Sequence, residues 1–330
     1  MSRLAATVTG AALLLAGSVL LAISVGSEPV SLARVFSEPN SLDRTLVVSA
    51  RLPRVLLAAL AGGGLSVVGA AFQALLRNPL ADPYILGVSG GAAFGATLAI
   101  ALGLTAVTTL GVSLLPFAAF AGGLASTALV YFIARRGGPT SGTSILLAGV
   151  IVNALASALI TLLKTLVSAS RAQELLFWLT GFLDVPTPLS LAVVATYVLA
   201  GSAVLIRDAG RLNLLALGEA SATHLGVDLP RLERRVFLAC SAVVGAIVSV
   251  TGLIGFVGLC VPHLLRRLNG PDHRALLPLS FVVGAGALVL CDAAARVSFR
   301  LLGTEPPVGA VTALIGGPIF LLLLARRPAT

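Results

Sequence analysis

The chain has 330 residues, of which 57% are hydrophobic and only 11% charged, with a formal net charge of +9 and a mean hydropathy of +1.04. A soluble globular domain carries about 25% charged residues, so this composition excludes a water-soluble protein and places the chain in a lipid bilayer. The basic excess does not indicate a nucleic-acid binder, because no basic face is interleaved with aromatic residues.

Charge-free runs mark the membrane spans. The first is Leu4–Val25, with Arg3 ahead of it. A cleaved signal peptide is the alternative, but the run is long for one and the rest of the chain is itself apolar. The second span is Val55–Leu76. Residues 83–134 form 52 positions without a charge, room for a third and a fourth span that turn near Gly103–Gly111. Gly137–Leu163 is the fifth and Val185–Ile206 the sixth. Val236–Leu265 is 30 residues, too long for one crossing at about 20 residues each. Gly252, Gly255 and Gly258 predict a break there, giving a seventh helix and a short eighth. Ala275–Cys291, running past Asp292, is the ninth, and Pro306–Ala325 the tenth. The expectation is an all-α polytopic fold, one transmembrane domain over residues 1–330, with both termini on the same side.

The basic residues orient it. With the amino terminus inside, 14 of the 22 fall on the cytoplasmic side, among them Arg77, Arg135, Arg136, Arg207, Arg266, Arg267, Arg326 and Arg327, against eight outside. That asymmetry favours cytoplasmic termini. Small residues recur one helical turn apart at Gly87, Gly91 and Gly95, at Gly62, Ser66 and Ala70, and at Gly309, Ala313 and Gly317. This spacing lets helices approach closely.

The loop Arg207–Arg235 holds nine charged residues between two spans. It lies where a water-soluble partner can touch a membrane protein. Two short helices are expected, Leu212–Leu217 and Ala220–Leu225, flanking the Gly218-Glu219 step. Gly226 ends the second and Pro230 bars its extension. The alternative is a solvated loop that joins two spans.

Chemistry of its own is thin. The single lysine, Lys164, follows Leu163, so the Gly-Lys of a phosphate-binding loop is missing. Cys240, Cys260 and Cys291 sit singly in apolar runs and read as core residues, not metal ligands. His224, His263 and His273 have no metal-ligand partner at i+4. No catalytic residue, metal site or cofactor is expected. Asp292 is the clearest ionisable group inside a span, and Arg296 is its natural i, i+4 partner. One paired carboxylate is poor support for ion coupling, so the driving energy is expected from a separate subunit.

From Arg51 to Gly95, RLPR, then a Gly- and Ala-rich helix with Gln73, then RNPLADPYILGVSGGA, closely resembles the FecCD-type permeases of type II ABC importers. These take up iron–siderophores, haem and vitamin B12. LLAG at Leu146–Gly149, FW at Phe177–Trp178, GEAS with LGV at Gly218–Val227, Gly252–Pro278 and Pro307–Phe320 complete the likeness in the family's order. The resemblance implies a ten-helix subunit acting as a homodimer, with two ABC ATPase subunits on the cytoplasmic side and a periplasmic binding protein on the other. It implies no enzymatic activity in this chain and a location in the bacterial inner membrane.

It also implies roles for residues. Leu217, Gly218, Glu219, Ala220, Ser221, His224, Leu225 and Gly226 match the segment that couples to the ATPase. Arg51, Arg54 and Arg296 match arginines that face glutamates on the binding protein; interfacial snorkelling is the alternative. Asn78, Pro79 and Leu80, with Thr143 and Ser144, match an inner constriction. Asn153 and Ser157, one turn apart on the fifth helix, line the pathway or bond to neighbouring helices. Glu305-Pro306-Pro307 stands where the family commonly has Glu-Leu-Pro. The cargo is an iron chelate, haem or cobalamin; the alternative function is a self-contained channel or ion-coupled carrier.

Overall fold

The computed structural model describes residues 3–26, 28–38, 40–104, 114–136 and 142–325. Each of the ten predicted spans is a helix: α1 (Arg3–Ser24), α2 (Leu52–Leu75), α3 (Val88–Ala101), α4 (Leu114–Arg136), α5 (Gly142–Leu166), α6 (Pro188–Arg207), α7 (Leu229–Thr251), α8 (Val257–Asn269), α9 (His273–Leu302) and α10 (Val308–Ala325). Seven are long and apolar enough to cross a membrane, and α3 and α10 are shorter apolar helices. No strand occurs among the described residues. The turn expected near Gly103–Gly111 falls mostly on residues 105–113, and the start of the predicted fifth span on 137–141. Both, with Arg326 and Arg327, lie outside the described residues.

Some helix ends moved, for local reasons. The second helix begins at Leu52 and continues a helical run from Leu42 that includes a π-helical turn at Leu46–Arg51. The sixth starts at Pro188, where the Thr187 hydroxyl accepts from Ser190 N–H (3.2 Å) and proline sits in the first turn. The ninth runs on to Leu302, since the Asp292–Arg296 pair lets charge continue inside it. Helices at Leu32–Ser37 and Ala169–Leu179 are additional. The latter contains Arg171 and Glu174, so a count of charge-free runs passes over it.

Helix α2 is the axis. Every residue from Ala61 to Leu75 is buried, and 83% of its apolar window is enclosed, against 17% for α1. Its closest neighbours are α9, α8, α6 and α7. In lipid, apolar surface gains little from leaving one hydrocarbon environment for another, so close backbone contact has to hold helices together. The small-residue spacing supplies it. A Cβ on Gly62 would run into the Gly284 carbonyl of α9, and one on Gly91 into the Gly122 carbonyl of α4. The third stripe is used unevenly. Gly309 packs on the Thr180 and Leu253 carbonyls, but Gly316 rather than Gly317 presses on Phe256.

The predicted break falls at residues 252–256, between α7 and α8, with Gly252 at φ +64 and Phe256 at φ +69. Unpaired backbone inside a membrane costs several kcal/mol per group. Neighbours satisfy it here. Thr251 O accepts from Phe182 N–H (2.8 Å), and Ile254 N–H donates to the Tyr84 hydroxyl (3.1 Å). One buried apolar cluster runs from Ala11 on α1 to Val308 on α10.

Candidate functional site

Chain direction brings Arg51, Arg54 and Arg296 to one end of the bundle, where α1 and α9 finish and α2 and α10 begin. They are not free surface charges. Arg51 is 8% exposed and Arg296 is 4% exposed. Arg51 donates to Ile23 O (2.7 Å), a carbonyl left open at the end of α1, and to Glu28 O in the segment that follows. Arg54 donates from Nε to Asp292 Oδ1 (2.9 Å), and its terminal nitrogen bonds both Asp292 and Glu305. Arg296 Nε lies 3.0 Å from Asp292 Oδ2. That is ion-pair distance, but the alignment is too poor for a hydrogen bond, and the second terminal nitrogen of Arg296 has no hydrogen-bond partner. Two guanidiniums thus share two carboxylates, and Arg51 caps backbone carbonyls beside them. A cavity of about 190 Å³ lies among the three arginines, lined also by Gly26, Glu28, Leu46, Ala50 and Val185.

The polar-loop end is built differently. The two short helices are Ala209–Leu215 and Glu219–His224, each displaced by one to three residues from the expected bounds. Leu212, Leu215 and Ala222 are fully or nearly buried and anchor them. Gly218, at φ +105 and ψ 155, makes the step between them in a region open to glycine alone. Ala220, Ser221, His224 and Gly226 are exposed, as are Leu217 (65%) and Leu225 (58%), while Gly218 and Glu219 are half-buried. Two apolar side chains on an otherwise polar rim suit a groove in a partner. The first short helix is latched to the start of α9. Asn213 accepts from His273 N–H (2.9 Å) and donates to Asp272 (2.6 Å). The Asn213 amide, with the Arg274 backbone N–H, holds the Asp272 carboxyl below the usual range. Asp208, 2% exposed, is paired with Arg211 and, at 3.3 Å, Arg235.

At the same end as the polar loop lies the segment after α2. Arg77, at φ +49, turns the chain, and Asn78 N–H reaches back to Gln73 O (3.1 Å) to close the helix. The Asn78 side chain accepts from Leu80 N–H (2.9 Å), forming an Asx turn. Pro79 and Leu80 are exposed. Arg77 pairs with Glu219, so this turn touches the second short helix. Gln73 accepts from Arg266 (2.9 Å) of α8. Downstream, burial pushes the Asp82 carboxyl up, against the hydrogen bond it accepts from Tyr84 N–H (2.8 Å). Asn153 on α5 clamps this region: its amide donates to Tyr84 O (2.8 Å) and accepts from Gly90 N–H (3.1 Å). Ser157 is exposed, and its carbonyl accepts from Thr161. Ser144 is exposed near the start of α5; the Thr143 side chain lies outside the described residues.

Sequence reasoning found the Asp292–Arg296 pair because its spacing is local. It missed Arg54–Asp292, Arg54–Glu305, Arg77–Glu219 and the Asn213 latch, whose partners lie 59 to 251 residues apart. Only the isolated polar character of Asn213 and Glu305 beside apolar runs hinted at them. Among the described residues no group of three or more His, Cys, Asp or Glu is placed to hold a metal.

The profile of the FecCD transport family matches residues 12–326. The chain is 44% identical over 292 residues to the cobalamin import system permease protein BtuC of Halobacterium salinarum, covering 88% of this chain and 76% of that one. It is 38% identical over 277 residues to the hemin transport system permease protein HmuU of Yersinia pestis, covering 84% and 82%. A solved structure of a metal-chelate type ABC transporter, in an inward-facing conformation, superposes with a TM-score of 0.85 at 33% identity, covering 98% of this chain and all of that one.

Proposed function

Because the chain belongs to the FecCD transport family, we propose that it is the membrane-spanning permease subunit of an ATP-driven importer for an iron chelate, haem or cobalamin. It is a multi-pass membrane protein. In this reading residues 1–330 are one permease domain in a bacterial inner membrane, with both termini cytoplasmic, and two copies form the pathway. The observation that carries the proposal is the family match along almost the whole chain, with the Gly218–Gly226 step lying at the opposite end of the bundle from the arginine cluster.

The division of labour follows from the two ends. Two ATPase subunits would engage the short helices through Leu217, Ala220, Ser221, His224, Leu225 and the Gly218–Glu219 and Gly226 turns. Their closure on ATP would shift the turn at Asn78, Pro79 and Leu80, which Arg77 ties to Glu219. Thr143, Ser144, Asn153 and Ser157 would border the inner half of the pathway. A periplasmic binding protein would dock over Arg51, Arg54 and Arg296. Charge complementarity of that kind guides encounter and orientation more than it adds affinity. The chain itself would hydrolyse nothing. The ion-coupled alternative is weaker, since both Asp292 oxygens lie within ion-pair distance of a guanidinium and leave little room for a coupling ion.

The test is reconstitution in liposomes with the ATPase and binding protein, offering cyanocobalamin, hemin and a ferric hydroxamate in turn. Uptake should need all three components, ATP and one of these cargoes. Uptake by this chain alone would overturn the proposal.

A further inference from the structure

We propose that Glu305 is an internal stand-in for the docking partner's carboxylate, holding Arg54 until a binding protein takes its place. The inference rests on the reading of the arginine cluster as the docking site, and adds how that site is regulated.

The two carboxylates that meet Arg54 differ in kind. Asp292 is fully buried on α9 and lies between Arg54 of α2 and Arg296 of its own helix. Exchanging it would leave buried Arg296 without its ion-pair partner and Arg54 with Glu305 alone, so it is a fixed anchor. Glu305 is not in a helix. It stands in the connection between α9 and α10, its side chain is 21% exposed, and its ion pair and hydrogen bond go to Arg54. It is the partner that can leave, because water can solvate it when it does. The same cavity that an incoming carboxylate would enter carries the unpartnered terminal nitrogen of Arg296, 4% exposed and without a hydrogen bond. Asp292 and Glu305 meet Arg54 and Arg296, whereas Arg51 is hydrogen-bonded to backbone carbonyls, and Glu28 also lines the cavity.

Release of Glu305 would not stay local. Pro306 and Pro307 follow it directly, and two fixed φ angles tie its backbone stiffly to the start of α10. There Gly309 N–H bonds Gly181 O (3.1 Å), and Gly309 packs on the Leu253 carbonyl in the α7–α8 break. Docking at the cluster therefore reaches the unwound part of the bundle through one short rigid segment. Pro306, where the family commonly has leucine, strengthens that link.

An internal competitor lowers apparent affinity by the fraction of time it occupies the site. Removing its charge should tighten docking, whereas a merely structural contact would weaken docking or leave it unchanged when lost. The experiment measures the Kd of the importer's own binding protein for the full-length permease in nanodiscs. Glu305→Gln should lower Kd by about two- to fivefold, the range expected for a partly exposed pair. Arg51→Gln and Arg54→Gln should raise it. A spin label at Thr304, an exposed position, should become more mobile in wild-type protein when the binding protein, or hexaglutamate as a bare carboxylate probe, is added. Hexalysine should leave it unchanged.

If the arginine variants weaken docking but Glu305→Gln does not tighten it, the exchange is wrong and the docking site stands. If neither arginine variant changes Kd, the docking reading falls and the exchange with it. Should Glu305→Gln fail to fold, the label decides: an unchanged spectrum in the docked complex overturns the proposal.

Discussion

At the arginine end, charge is buried and crossed between helices that are far apart in sequence; at the polar-loop end, buried Asp208 apart, the Arg77–Glu219 pair that joins two segments is exposed and tied by a single contact. Arg54, Asp292 and Arg296 are 12%, 0% and 5% exposed at the side chain, whereas Arg77 and Glu219 are 44% and 45% exposed. The same chemistry, guanidinium against carboxylate, therefore has different weight at the two ends. A buried charge that loses its partner costs about 3–5 kcal/mol, an exposed pair about 0.2–1 kcal/mol. The first end is suited to hold geometry, and the second to yield under work done by a partner.

The sharpest way to break this contrast is Asp292→Ala. It should destabilise the protein by about 3–5 kcal/mol, seen as a fall in the melting temperature in detergent or as loss of a monodisperse gel-filtration peak. A small effect would mean the cluster is wetter than its burial indicates. Next in size is Gly218→Val, which forces a β-branched residue into backbone reserved for glycine, at about 1–3 kcal/mol of local strain. Because a side chain there would meet no neighbour within 4 Å, the strain should appear as lost ATPase assembly in a pull-down, with a smaller fall in melting temperature than Asp292→Ala gives. Arg77→Gly relieves a left-handed non-glycine residue, a gain of about 1–2 kcal/mol at that position, and removes the pair to Glu219. Transport per ATP hydrolysed should fall while thermal stability holds or rises. Smallest is Glu219→Gln, expected to change stability by no more than about 1 kcal/mol. If its thermal shift rivals that of Asp292→Ala, the two ends are not different in kind.

Particular residues mark how far the sequence carried. Charge-free apolar runs placed all ten helices, and Gly252, Gly255 and Gly258 placed the break. GEAS and RNPL matched the family segments whose roles are proposed above. What stayed hidden was how the site is wired. The resemblance implied that Arg51 and Arg54 face glutamates of a binding protein, and was silent on their partners within the chain. In the folded chain Arg51 bonds the Ile23 and Glu28 carbonyls, and Arg54 meets a carboxylate 238 residues away. Asn153, read as bordering the pathway or bonding to a neighbouring helix, does bond outward, to Tyr84 and Gly90.

By itself the sequence determined which segments enter lipid, where helices approach closely and where the chain must bend. Each of these is set by the transfer energy or backbone freedom of neighbouring residues, and so is written locally. Only the tertiary structure decided which charges neutralise one another and which are left for a partner. Such pairing depends on distances that folding creates between helices, and spacing along one chain does not encode them.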